Sequence, residues 1–341
     1  KFMQTEKKQL LIYVIIAYGI TYVMGLLMWY SYGKGLDLSA FPNAQMLYPA
    51  AGVMMAYLIT KKGDKNLPTA FYIFFVALTA VLVVCTAASV LAPKNIDLMG
   101  TMFSQWGLIL ECIMIGGSVI FWLLLLASGN EKCRVYGLNS GHWNISVLMI
   151  LLFIGLYLLR FLIASAFRGQ LSEFGKIMAN PTTWIIFFTV LVNFFLSVVA
   201  FFGEEYGWRY YLQSVMQKKF GLRGGVILLG MAWGIWHLPI DLFYYTQTTG
   251  LQMIFAQQIT CIFLAIFFGY AYMKTKNIWV PVCLHYLNNN LIPIITATFT
   301  ADVLEDQVVR WSDLPVSLLL NGLCFGFFLL AGEYRRKNIK E

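Results

Sequence analysis

Long apolar runs separated by short polar segments dominate the chain. A helix that crosses the hydrocarbon core of a bilayer needs about 20 largely apolar residues. Ten segments approach that length: 10–30, 46–60, 69–92, 106–127, 143–167, 183–205, 225–242, 251–273, 278–298 and 314–332. The second is short enough to be re-entrant. The pattern predicts an all-α fold, a polytopic transmembrane helix bundle of about ten spans. The first run is too long for a signal peptide and has no clear small-residue cleavage site, so it reads as a retained helix. No internal repeat, low-complexity tract or Gly/Ser linker interrupts the series.

The polar segments add an orientation. Lys and Arg alternate in density from one connection to the next, with 18 on one side of the predicted bundle, five on the other and Arg160 inside a span. Basic connections stay cytoplasmic, so ten spans with both termini cytoplasmic are expected. The connection 299–313, with Asp302, Glu305, Asp306 and Asp313, then faces outward. Composition agrees. The 341 residues are 60% apolar and 12% charged, and the mean hydropathy is +0.71. Soluble domains run nearer half apolar and a quarter charged. A water-soluble globular enzyme, a disordered chain and a nucleic-acid binder are thereby excluded, and the sequence pI of 9.1 follows from topology. Six dispersed cysteines without a CxxC pair suggest small buried hydrophobes rather than a disulfide framework or zinc knuckle.

An ionisable residue within a span is expensive and is a functional candidate. Here these are Glu111, Arg160, Glu204, Glu205, Arg209, His237, Asp241 and His285, beside the amides Asn288, Asn289 and Asn290. Glu205 and Arg209 are four residues apart with the acid first, the favourable order for a helical ion pair. Such a pair leaves Glu204 on another face. Trp233, His237 and Asp241 share one face at the same spacing, as do His285 and Asn289. At about 1.5 Å per residue, Glu204 and His237 each lie roughly 21 Å from the nearest cytoplasmic basic marker, and His285 and Asn289 roughly 14 to 20 Å. Similar depth predicts one wet cavity opening to the cytoplasm. Gly203/Gly207 and Gly230/Gly234 are small-xxx-small pairs that permit close helix approach. Each feature also has a purely structural explanation: an ion-pair network, a core histidine, interhelical amide bonds. Glu111 and Arg160 are left over, and a charge pair between them is one way to accommodate both.

A carboxylate, two imidazoles and an amide suit water activation followed by stabilisation of a tetrahedral intermediate. No serine sits among these groups, and Cys283 lacks an arranged base, which argues against a covalent nucleophile. Glu204, His237 and His285 could instead hold a metal. The HExxH signature is absent, so the reading is cofactor-free with zinc as the alternative.

The three clusters resemble the signature of the CPBP family (CAAX protease and bacteriocin-processing, also called ABI), which includes type II CAAX prenyl endopeptidases. EExxxR is matched by Glu204, Glu205 and Arg209, FxxxH by His237 with Trp233 in place of Phe, and HxxxN by His285 and Asn289. The resemblance covers about residues 183–298. It implies a glutamate-dependent intramembrane endopeptidase of the cell membrane. Glu204 would be the base, His237 its partner at the water, and His285 and Asn289 the oxyanion side, with Glu205 and Arg209 supporting. Residues 183–341 would form the catalytic helical core with a basic cytoplasmic tail, and residues 1–182 would be N-terminal transmembrane helices shaping substrate entry. Besides the lipid bilayer, the partners it allows are a prenylated CAAX protein, a bacteriocin or pheromone leader peptide, or a membrane-anchored fragment. Leader processing is slightly favoured, and no nucleic acid is involved. Two other functions stay open: a non-enzymatic membrane regulator or immunity protein that keeps the site, and a proton-coupled transporter.

Overall fold

A computed structural model describes residues 2–98, 100–297, 304–305 and 307–335. The expected Asp302 and Asp306, and Arg336, Lys337 and Lys340 of the basic tail, lie outside the described residues. Among the described residues the fold is helical, apart from one short antiparallel hairpin, β1 (Asn95–Leu98) and β2 (Thr101–Ser104). Among the described residues, six helical stretches are long and apolar enough to cross a bilayer: Gln4–Gly33, Thr69–Leu91, Gln105–Ser128, Trp143–Phe167, Pro181–Trp236 and Gly250–Thr275. This is an integral membrane protein of the all-α polytopic class. The stretch Pro181–Trp236 contains two of the expected apolar runs, divided where Gly221 leaves helical geometry at φ 77°. The run at 46–60 forms only a 13-residue helix. The last run does not form one helix either: it stops at Cys324 and continues as a 3-10 turn.

The chain divides into two compact units. The first comprises Lys1–Asn139 and Phe195–Tyr211. It opens with α1 (Phe2–Val14), a π-helical turn (Ile15–Ile20) and α2 (Thr21–Gly33), followed by α3 (Ala40–Gln45) and α4 (Tyr48–Thr60). Helices α5 (Thr69–Leu91), α6 (Gln105–Ser128) and α7 (Asn130–Val135) complete its N-terminal part. Its outer surface exposes Leu11, Val23, Leu26, Trp29, Val84 and Leu126, which only an apolar surrounding accommodates in such number. Buried hydroxyls bond their own helix: Thr21 Oγ1 to the Ala17 carbonyl, Thr79 to Phe75 and Thr86 to Leu82. That removes the cost of an unsatisfied donor in hydrocarbon.

Within this unit the segment after Phe195 is held by close backbone approach and by phenols. A Cβ on Gly203 would overlap the Met46 carbonyl and Leu47 Cα, and one on Gly207 would overlap Pro49. The expected small-residue contact is therefore real and falls on the start of α4. Tyr72 Oη lies 2.6 Å from Tyr206 Oη, which in turn donates to the Tyr136 carbonyl at 2.8 Å. Tyr206 stacks on Tyr210 with ring centroids 4.5 Å apart. At the edge of the unit Tyr136 donates to Asp64 at 2.6 Å. That bond, the Asn66 amide and the nearby Lys61 hold the Asp64 carboxyl below its ordinary pKa.

The second unit comprises Ser140–Phe194 and Leu212–Glu341. Helix α8 (Trp143–Phe167) is followed by the short amphipathic α9 (Leu171–Ala179) and by α10 (Pro181–Glu205), of which residues up to Phe194 belong here. Then come α11 (Gln213–Trp236), α12 (Leu238–Phe243), α13 (Gly250–Thr275), α14 (Trp279–Thr296) and α15 (Asp313–Cys324). Helix α13 is central, packing on α8, α11, α12, α14 and α15. It is buried on all sides from Leu264 to Ala271, as a helix apolar all round requires. Gly230 seats α11 against Ile262 and Ala265 of α13, and Gly234 against Gln258. Arg160 donates to Asn321 Oδ1 at 2.8 Å and lies over the Tyr157 ring at 4.7 Å. Its hydrogen-bond partner is an amide rather than the carboxylate of Glu111, which lies exposed on α6 of the other unit.

The glycine contacts make a direct prediction. Gly207→Leu forces overlap with the backbone of Pro49, and overpacking of this kind costs about 1–3 kcal/mol or more. Thermal unfolding in detergent should show a lowered midpoint for Gly207→Leu and an unchanged one for Gly116→Leu on α6, where nothing lies within 4 Å.

Candidate active site

The acidic cluster lies in the first unit, where α10 ends at Glu205 and widens into a π-helical turn, Tyr206–Leu212. Such turns recur at functional sites, because an extra residue per turn re-aims the side chains that follow. Glu205 and Arg209 are both fully buried and form an ion pair, Nε to Oε2 at 3.0 Å. Arg209 is among the largest fully buried side chains of the molecule. Glu204 is 2% exposed, and its Oε2 accepts from Trp208 Nε1 at 3.2 Å. The indole, a neutral donor, occupies one lone pair without cancelling the charge. Trp208 is held edge-on by Tyr13 and Tyr18, each with its ring centroid 6.1 Å away. Glu204 is thus a held residue rather than a loose one. The spacing that revealed Glu205–Arg209 also joins Glu204 to Trp208, a pair the sequence analysis did not draw.

The histidines lie in the second unit. His237 follows the last residue of α11, where Pro239 prevents an uninterrupted helix. The face shared by Trp233, His237 and Asp241 is therefore divided between two short-coupled helices, although the Asp241 amide still reaches the His237 carbonyl at 2.9 Å. His237 Nδ1 lies 2.9 Å from the Trp233 carbonyl. A carbonyl only accepts, so Nδ1 carries the proton and Nε2 presents its lone pair. His237 is 6% exposed and His285 4%. Both imidazoles contact the Trp233 indole, with ring centroids at 5.9 Å and 5.4 Å respectively. The Trp that replaces the Phe of the motif thus gathers two of the predicted residues around one ring. Phe268 of α13 closes the cluster against Trp233 and His285.

Asn289 is half-buried one turn beyond His285 on α14, and its Oδ1 accepts from Asn288 Nδ2 at 3.0 Å. Asp241 is fully buried, and neither carboxyl oxygen has a hydrogen-bond partner among the described residues. Cys283 is only partly buried and Cys112 exposed, so not every cysteine is the buried hydrophobe expected; none is in a disulfide. Within either unit, among the described residues, no three His, Cys, Asp or Glu side chains gather as a metal-holding group.

The class defined so far is a polytopic helical membrane protein with a carboxylate held by an indole in one unit and two imidazoles around a tryptophan in the other. Residues 182–291, which contain all six motif residues, match the family model described as type II CAAX prenyl endopeptidase Rce1-like. A relative from Methanococcus maripaludis, named CAAX prenyl protease 2, is 25% identical over 206 residues, covering 56% of this chain and 73% of its own length. No solved structure matches. Over that segment the chain is similar to the CPBP, or CAAX protease, family.

The buried ion pair can be tested by itself. Removing one member of such a pair costs roughly 3–5 kcal/mol, because the other charge is left without compensation. Arg209→Met should lower the unfolding midpoint in detergent strongly. The double change Glu205→Gln with Arg209→Met should recover a large part of the loss. Equal destabilisation of the single and double variants would show that the charges do not act as a pair.

Proposed function

We propose that the protein is an intramembrane endopeptidase that hydrolyses a peptide bond near the C-terminus of a prenylated CAAX-type substrate, using water activated by Glu204. What carries this reading is that Glu204, His237 and His285 are each buried, Asn289 is half-buried, and all four fall within the segment that matches the family model. The name of the archaeal relative favours a prenylated protein over a leader or pheromone peptide as substrate.

In this reading one water attacks the substrate. Glu204 takes a proton from the water as its oxygen attacks the scissile carbonyl carbon. His237, with its Nε2 lone pair, accepts the water's second hydrogen and orients it. The carbonyl π bond opens to an oxyanion that receives hydrogen bonds from His285 and Asn289, contacts often worth 10²–10³ in rate. The C–N bond then breaks, and the proton held by Glu204 passes to the leaving amine. Glu205 and Arg209 keep a second carboxylate neutralised beside the base, so that only Glu204 is available to take a proton. Trp208 holds the base in position.

The test is cleavage of a farnesylated CAAX-type peptide by the purified protein, followed by product mass spectrometry. Wild type should release the C-terminal fragment. Glu204→Gln and His285→Ala should each lower turnover by about 10²–10⁴ while keeping the wild-type unfolding midpoint. Cleavage that survives Glu204→Gln would overturn the assignment of the base. The reading routes no step through a metal, so treatment with a chelator should leave cleavage unchanged. Loss on chelation, restored by zinc, would reassign Glu204, His237 and His285 as ligands.

A further inference from the structure

The three consecutive asparagines of α14 do different things. Asn290 Nδ2 donates back to the Tyr286 carbonyl at 2.9 Å, an ordinary bond within the helix. Asn288 Nδ2 donates sideways to Asn289 Oδ1 at 3.0 Å. The two are neighbours in sequence, so this bond serves neither the helix nor its docking to another helix. Its effect is on Asn289 alone. A carboxamide has one accepting oxygen and one donating nitrogen. A donor fixed on the oxygen fixes which way the amide is turned, and leaves both N–H groups of Asn289 directed away from Asn288. Neither of those N–H groups has a hydrogen-bond partner among the described residues.

The backbone beneath this pair is itself specified. Pro293 has no N–H, so the Asn289 carbonyl loses its helical partner, and the proline ring crowds that carbonyl. A turn weakened in this way needs an outside anchor. Tyr157 of α8, fully buried, supplies one by donating to the Asn288 carbonyl at 3.1 Å. Tyr157 is in turn covered by the Arg160 guanidinium at 4.7 Å. All of these residues belong to one unit.

We propose that Asn288 is a positioning residue of the hydrolytic site: it orients the Asn289 carboxamide so that its N–H groups face the developing oxyanion. This rests on the reading of Asn289 as an oxyanion donor. The two ideas are separable, because an aspartate at 288 has nearly the same shape but only accepts. It would draw an N–H of Asn289 toward itself and turn the amide over.

Turnover of the farnesylated peptide is to be measured for wild type, Asn289→Ala, Asn288→Asp, Asn288→Ala and the double variant Asn288→Asp with Asn289→Ala. Asn289→Ala should lower kcat by about 10²–10³. Asn288→Asp should lower kcat by about 10–100-fold with KM little changed, since a misdirected donor fails only in the transition state. Asn288→Ala, which removes the orienting donor without reversing it and introduces no charge, should lose less than Asn288→Asp. In the Asn289→Ala background, Asn288→Asp should cost no further activity, because a residue that acts through 289 has nothing left to act on. Loss of activity in Asn289→Ala with full kcat in Asn288→Asp would overturn the positioning role and leave the oxyanion reading standing. An additive further loss in the double variant would also overturn it, showing that Asn288 supports the fold instead. Full activity in Asn289→Ala, or a peptide left intact by wild type, would overturn the underlying reading and this role with it.

Discussion

A carboxylate and a guanidinium 3.0 Å apart, both without exposure, are a costly feature around which the first unit is arranged. Each charge taken from water carries a penalty of several kcal/mol, repaid only by close geometry and further polar contacts. The Glu205–Arg209 pair meets that demand where α10 gives way to a π-helical turn. Glycines at 203 and 207 let the backbone of residues 46–49 approach the same stretch, and the Tyr72–Tyr206–Tyr136 chain fixes its flank. Glu204 benefits from this rigidity. Its backbone cannot slide, and Trp208 limits where its carboxylate points.

The second unit meets the same constraint with neutral groups. His237 places its Nδ1 proton on the Trp233 carbonyl, and Trp233 also contacts His285. Asn277 donates to the Gly141 carbonyl and to Ser146, and Tyr334 donates to the Ile266 carbonyl. Arg160, a cation predicted inside a span, is taken up by an amide and by aromatic faces. Aromatic faces stabilise a desolvated guanidinium, and the long side chain reaches them without a counter-charge.

The sequence carries some local contacts more fully than it carries the helix boundaries. The i, i+4 spacing of Glu205 and Arg209 specified their ion pair, and the small-residue spacing specified the approach at Gly203, Gly207, Gly230 and Gly234. The spanning runs at 69–92, 106–127, 143–167 and 251–273 became single helices because nothing in them breaks helical geometry. Apolar runs failed as a guide where length and local chemistry conflicted. Residues 46–60 make a short helix, the run 314–332 ends its helix at Cys324, and α9 was hidden because its alternation of Leu171, Phe174 and Ile177 with Glu173 and Lys176 is amphipathic rather than spanning. The π-helical turn has no composition that marks it. The bond from Asn288 to Asn289 could not be read from sequence either, because adjacent residues on a helix do not ordinarily face each other.

The central claim is that Glu204 acts as a general base on water rather than as a nucleophile. Single-turnover cleavage of the farnesylated peptide in ¹⁸O-labelled water, followed by mass spectrometry of both the products and the protein, measures this directly. One ¹⁸O in the newly formed product carboxylate and none in the Glu204 side chain is the expected result. Label in the Glu204 side chain with an unlabelled product carboxylate would contradict it.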